Sequence, residues 1–220
     1  MRSPPFSVQL KLDGWDLFWA LLEAVPGHDA ELAQLRVKVV ERVAATYRLD
    51  KLSSHPTVAA VRAGFRAAGC DPTRYRPASE ALLRRLLKGQ ELPAIHPLVD
   101  LNNCLSAELA VPCCVTPEGA VTPPVILRAG LTGEEYESLR GPFNLAGKPV
   151  LADAEDRPWD APITGSKEVM VRDDTRRAWL VSYLPRGVVA PETADRTLAS
   201  LVAEAPAVRI ELTAASTAAA

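Results

Sequence analysis

Three groups of side chains in this chain are of types that could do chemistry. The first is in "LVDLNN", where Asp100, Asn102 and Asn103 interrupt an otherwise apolar segment, with His96 just before it and the vicinal Cys113-Cys114 just after. Polar side chains in apolar surroundings are costly without hydrogen-bond partners, so such a cluster either braces a turn or meets a ligand. A thiol beside a helix end or a cation can ionise and act as a nucleophile or redox group. Free cysteine is equally a core residue, and packing is the plainer reading of this pair. His96, alone and followed by Pro97, is suited to capping the next turn rather than to holding a metal. The second group is "ADAEDRPWD", whose Asp153, Glu155, Asp156 and Asp160 offer a paired acid and base. Their place between an apolar run and Pro158 reads as an exposed turn. The third is basic: Arg62, Arg66, Arg74, Arg76, Arg84, Arg85 and Lys88 stand against only Asp71 and Glu80 between positions 62 and 88. That excess reads either as a phosphate-contacting patch or as the solvated faces of two helices.

Several devices are missing. The chain has no G-x-S-x-G elbow, no glycine-rich phosphate loop and no G-x-G-x-x-G fingerprint. Its 4 cysteines and 3 histidines form neither a C-x-x-C pair nor a His pair at helical spacing, so no structural zinc, disulfide framework or other cofactor is expected. With 220 residues, 48% hydrophobic and 24% charged, the composition is that of a globular chain with its own core. A net charge of -2 gives no global attraction to nucleic acid, and DNA is not an expected partner. The apolar N-terminal run is broken by Pro4, Pro5, Asp13 and Asp16 before it reaches membrane-spanning length, so the expectation is a cytoplasmic protein without a membrane partner.

The elements that must position these groups change character along the chain. The first half reads as helices. Leu32, Leu35, Val39, Val43 and Tyr47 recur at helical steps, as do Val58, Val61 and Phe65 after His55-Pro56, with Gly69 placed as a C-cap. "SEALLRRLLKG" is expected to start at Ser79 as N-cap, and "PLVDLNNCLSAELA" is expected to form a further helix that stops before Pro112. Beyond Pro112, "AVTPPVILRAG", "GKPVLADAED", "EVMVRDD", "RRAWLVSYLP" and "AVRIELTA" read as short strands, with "ETADRTLASLVAEA" as a late helix. From Thr213 an Ala/Ser/Thr tail has little with which to pack. Helices first and strands later give an α+β class.

The order of these segments resembles a known family. "LVDLNN" with "CLSAELAVP" is similar to the B3/B4 region of the bacterial phenylalanyl-tRNA synthetase beta chain: Asp100 and Asn103 fall on its Val-Asp-x-x-Asn element, and Pro112 follows at the family's interval. "ADAEDRPWDAPITGSKEVMVRDDT" lies without a gap on a second block, matching at Gly165, Val171, Asp173 and Thr175. Upstream, "HPTVAAVRAGFRAAGCDPTRYRPASEALLRRLLKGQELPAIHPLVD" resembles the helical extension of free-standing B3/B4 proteins. The resemblance implies a B3/B4-like three-layer sandwich of two β-sheets and helices. It divides the chain into a helical extension over 1–89 packed on the core, the B3/B4-like domain over 90–212 and a flexible tail over 213–220, with the whole expected to form one compact unit.

In the synthetase this module removes a wrongly attached amino acid from tRNA, a second sieve for selection that pocket fit alone cannot give. By resemblance, this chain is a module that hydrolyses mischarged aminoacyl-tRNA in trans, an ester hydrolase whose partners are tRNA or aminoacyl-tRNA and an amino acid as small ligand. The alternatives are a binding domain of the same fold for an amino acid or tRNA, and an interaction module with a vestigial pocket. Where the synthetases carry His after the segment's proline, this chain has Cys114; their Gly-Gly pairs are Ala161-Pro162 and Gly165-Ser166 here, and their Glu becomes Lys167 beside Glu168. With that His gone, the hydroxyls of Thr175 and Ser166 and the backbone N–H groups around Gly165 are expected to orient the attacking water. Asn103, Cys114, Lys167 and Glu168 are expected to contact the substrate, and Arg62, Arg66, Arg84, Arg85 and Lys88 the RNA.

Overall fold

The computed structural model describes residues 1–217. The helical periodicities translate directly. Helix α1 (Asp29–Thr46) buries Leu32, Leu35, Val39 and Val43, and α2 (Pro56–Ala67) buries Val58, Val61 and Phe65. Helix α2 is closed by Gly69 at φ 98, whose neighbour Cys70 donates its N–H to the Phe65 carbonyl at 2.9 Å. That is the left-handed turn a glycine makes without a Cβ penalty. Helix α3 (Ala78–Leu86) starts two residues earlier than expected: Pro77 holds the cap position and Ser79 is buried within the first turn. Helices α4 (Pro97–Leu109) and α5 (Pro191–Glu204) both place proline at the first helical position, where no intrahelical N–H bond is lost.

The strands depart further from the pattern. The half read as helices opens with β1 (Val8–Leu10) and β2 (Trp15–Ala24). Strand β2 was missed because nearly every residue in it is buried on both faces, so no alternation marks it. After α4 come β3 (Cys113–Pro117), β4 (Val125–Ala129), the hairpin β5 (Glu135–Ser138) and β6 (Gly141–Asn144), then β7 (Pro149–Ala152), β8 (Pro158–Ala161), the two-residue β9 (Thr164–Gly165), β10 (Arg177–Pro185) and β11 (Val208–Ser216). "EVMVRDD" is not a strand: Lys167–Val169 forms a 3-10 turn and the rest is irregular. Thr213 to Ser216 lie in β11 and pair with β2, because backbone hydrogen bonds to a neighbouring strand do not require large side chains. The end of the expected tail, residues 218–220, lies outside the described residues.

The strands form a four-stranded sheet in the order β11-β2-β10-β3, a five-stranded sheet β1-β4-β7-β8-β9 and the separate hairpin β5-β6. One continuous core joins both large sheets and the helices, with Trp15, Trp19, Tyr183, Phe65, Leu127 and Leu151 all within it. This is an α+β sandwich. Trp15 seats against α2 at Gly64, where an added Cβ would fall 2.3 Å from its ring, so only glycine fits there. Further along β2, Trp19 and Trp179 of β10 each make a T-shaped contact with Phe6, ring centroids 5.1 Å apart. No helix among the described residues is long and apolar enough to cross a membrane.

Candidate functional site

The polar cluster of α4 divides its work around the helix. Asp100 is buried and braces the helix start: its Oδ1 accepts the backbone N–H groups of Ile95 (2.9 Å) and His96 (3.3 Å), and its Oδ2 takes the Arg36 guanidinium of α1 at 2.6 Å. His96 completes a reciprocal cap by accepting the Leu98 N–H on Nδ1 at 3.3 Å, and burial lowers its pKa. Asn102 is buried with its Oδ1 unpartnered within the protein. Asn103, three residues beyond Asp100, faces a cleft instead.

That cleft, of about 330 Å³, lies between β3, the β8–β9 turn and the segment that follows. It gathers Asn103, Cys114, Gly165 and Ser166 from three distant parts of the sequence, with Ile95, Val99 and Met170 among its apolar walls. The turn that closes it is held from outside, since Ala78 at the start of α3 donates its N–H to the Pro162 carbonyl at 2.8 Å. The Tyr136 hydroxyl, on the neighbouring hairpin, donates to the Thr164 carbonyl. A larger hollow of about 520 Å³ runs beside α1 at Val37, Val40 and Pro93, but no buried polar group converges on it.

Other expected site residues lie elsewhere. Thr175 does not line the cleft; its Oγ1 accepts the Arg172 N–H at 2.9 Å inside a surface turn. Lys167 points to Glu137 at 3.5 Å, and Glu168 meets Ser166 only through its backbone, its N–H reaching the Ser166 Oγ at 3.2 Å. The Ser166 N–H is itself engaged by the Trp159 carbonyl at 3.1 Å, which leaves the Ser166 hydroxyl as that residue's free donor.

The carboxylate group resolves into two kinds. Asp153 closes its turn by accepting the Arg157 N–H at 2.9 Å and pairing with the Arg157 guanidinium at 2.8 Å. Asp156 is held by Arg128 at 2.7 Å, and Glu155 is exposed. Asp160, read in sequence as part of the same exposed turn, is instead 4% exposed and lines the cleft. Its Oδ2 accepts the Tyr183 hydroxyl at 2.6 Å, and Oδ1 faces Gly165 so closely that an added Cβ there would stand 3.0 Å away. Burial pushes the Asp160 pKa up to about 7, and only the Tyr183 hydroxyl and the Cys114 thiol pull it back. The one signal for it was β8 itself: Trp159 and Asp160 alternate beside Ala161, a pattern too short to distinguish from a loop.

The cysteines are thiols. Burial holds Cys114 well above the usual thiol range and pushes Cys113 up to about 12, with its Sγ 3.2 Å from the Ser182 hydroxyl. Neither is a thiolate nucleophile at neutral pH. Among the described residues no three His, Cys, Asp or Glu side chains stand together as metal ligands.

The basic stretch is partly neutralised from within. Glu80, 1% exposed, binds Arg62 at 2.9 Å and Arg84 at 3.0 Å, tying α2 to α3, with Arg76 at 3.6 Å. Arg66, Arg85 and Lys88 are exposed and have no carboxylate partner among the described residues.

No curated protein matches the chain. Among solved structures, an N-terminal fragment of the phenylalanyl-tRNA synthetase beta-subunit from Pyrococcus horikoshii aligns over 99% of this chain and 56% of its own, at 13% identity and a TM-score of 0.49. The chain therefore spans little more than half the length of that fragment. The B3/4 domain family matches residues 60–202, a span that runs from α2 to α5 and takes in every wall of the cleft, and the chain belongs to that family.

Proposed function

We propose that the chain acts in the cytoplasm on aminoacyl-tRNA, taking the aminoacyl end into the cleft and hydrolysing its ester in trans. The observation that carries this reading is the convergence, inside the family-matched span, of Asn103, Ser166 and Asp160 on an apolar-walled cleft of about 330 Å³. Its size falls within the range of small-molecule sites, roughly 300–1,000 Å³. An activated ester needs positioning and polar contacts more than a strong nucleophile, so the protonated cysteines are no obstacle. Ser166, through its hydroxyl, and Asn103, through its amide, are the donors and acceptors for water and substrate. Thr175, which does not line the cleft and whose hydroxyl oxygen accepts the Arg172 N–H, is left out of that work. The exposed Arg66, Arg85 and Lys88 are the phosphate contacts.

The test is a deacylation panel of several mischarged tRNAs with the wild-type chain. Turnover of at least one ester is expected, slowed on the order of a hundredfold by Ser166→Ala and little changed by Cys114→Ala. Loss of turnover in Cys114→Ala would instead point to a cysteine acyl-enzyme. A second reading, binding without turnover, is favoured by the engaged Ser166 N–H, which removes one donor from the site. Retention of aminoacyl-tRNA with no ester loss would select it.

A further inference from the structure

We propose that Asp160 is the specificity-determining residue of the cleft, receiving a protonated primary amine of the ligand at its Oδ1, so that the site selects aminoacyl groups with a free ammonium over N-acylated ones. The inference rests on the reading of the cleft as an aminoacyl site and names the chemistry of what enters it.

A carboxyl buried to this degree normally has a cation beside it, because an unpaired buried charge is costly. Asp160 has none: among the described residues the wall of the cleft holds no Lys, Arg or His. Its surroundings are otherwise fully assembled. Tyr183 from β10 fixes Oδ2 at 2.6 Å, Cys114 stands beside it from β3, and Cys113 of β3 and Tyr136 of β5 are the further titratable neighbours. Gly165 keeps the Oδ1 side open at the point where any side chain would crowd it. A carboxyl fixed through Oδ2 by Tyr183, with Oδ1 facing a glycine on the cleft wall, is suited to receive a ligand. Since every protein group facing it is neutral at neutral pH, the missing partner is a cation brought by the ligand. The apolar walls suit the side chain of such a ligand. Trp159, in the same wall, carries a buried indole N–H with no acceptor in the protein.

The carboxyl holds its proton to about pH 7. Arrival of an ammonium favours the charged form, so binding below that pH expels the proton to solvent.

The experiment uses calorimetric titration of the full chain with L-leucinamide and N-acetyl-L-leucinamide, which carry no ester to hydrolyse. Acetylation of the amine is expected to weaken binding on the order of tenfold or more, as is Asp160→Asn. Titrations near pH 6 in buffers of different ionisation enthalpy are expected to show proton release in the wild type and none in Asp160→Asn. The ligand-side comparison needs no variant, so it stands even where a substitution disturbs folding. Equal binding of the two amides, or proton release unchanged in Asp160→Asn, overturns the proposal, as does failure of the amine to bind at all. Ester turnover that is indifferent to acetylation of the aminoacyl group would leave the deacylase reading standing and remove this one. The expected amide pattern without turnover of any tRNA ester would do the reverse.

Discussion

A single carboxyl, Asp160, sets the pH behaviour of the fold at the scale of the residue. In the unfolded chain an aspartate loses its proton near its ordinary value of 3.8, whereas in the fold burial holds the proton to about 7. Between those values the native state binds more protons than the unfolded state, so this group's contribution to stability is full below about pH 4 and declines as pH rises to about 7. That difference between the folded and unfolded carboxyl amounts to about 4 kcal/mol. Asp160→Asn keeps the shape and an acceptor for Tyr183 without the ionisation. The stability of Asp160→Asn relative to wild type is therefore expected to rise as pH goes from 5 to 8, read from melting curves at each pH. A constant difference would show that Asp160 is not buried as a proton-holding group. Gly165→Ala is the companion change. Its Cβ would stand 3.0 Å from Oδ1, so loss of ligand binding with the fold intact is expected.

Elements are joined here by buried ion pairs that the sequence places far apart. Asp100 ties the start of α4 to Arg36 of α1 across 64 positions, while also accepting two backbone N–H groups. Asp100→Ala removes a cap and leaves the half-buried Arg36 without its partner. Stability is expected to fall by about 2 to 4 kcal/mol in denaturant unfolding. An unchanged midpoint would mean that neither contact holds the helix start. Glu80 does the same between α2 and α3, and Glu80→Ala is expected to destabilise by about 3 kcal/mol because it leaves the half-buried Arg62 and Arg84 without their carboxylate partner. Helix α1 was legible because it shows one buried stripe at a period of 3.6, through Leu32, Leu35, Val39 and Val43. Strand β2 was not, since burial on both faces erases the period, and the hairpin β5-β6 and two-residue β9 are too short to carry one.

For the whole molecule, charge is distributed by the tertiary fold rather than by the count along the chain. Arg62 and Arg84 belong to the Glu80 cluster, so only Arg66, Arg85 and Lys88 of the five expected contacts are left exposed without a carboxylate partner among the described residues. Changing these three to Glu is expected to weaken tRNA retention at low salt and to flatten the dependence of log affinity on log salt by about 2 to 3 units. Retention that does not change would show a merely solvated face. The amino-acid sequence by itself determined the α+β class, the helices and the family signature at Asp100, Asn103 and Gly165, because each is written in local periodicity or in short spacings. What it could not decide was which polar residues share a site. Asp160 and Asp156 are four residues apart and chemically alike, yet one enters an apolar cleft and the other meets Arg128 at the surface. Thr175 carries a family match yet turns away from the cleft. Those outcomes depend on strands β3, β8 and β10 meeting across separations of about 20 to 70 residues, and only the packed chain brings Tyr183, Cys114 and Asp160 within reach of one another.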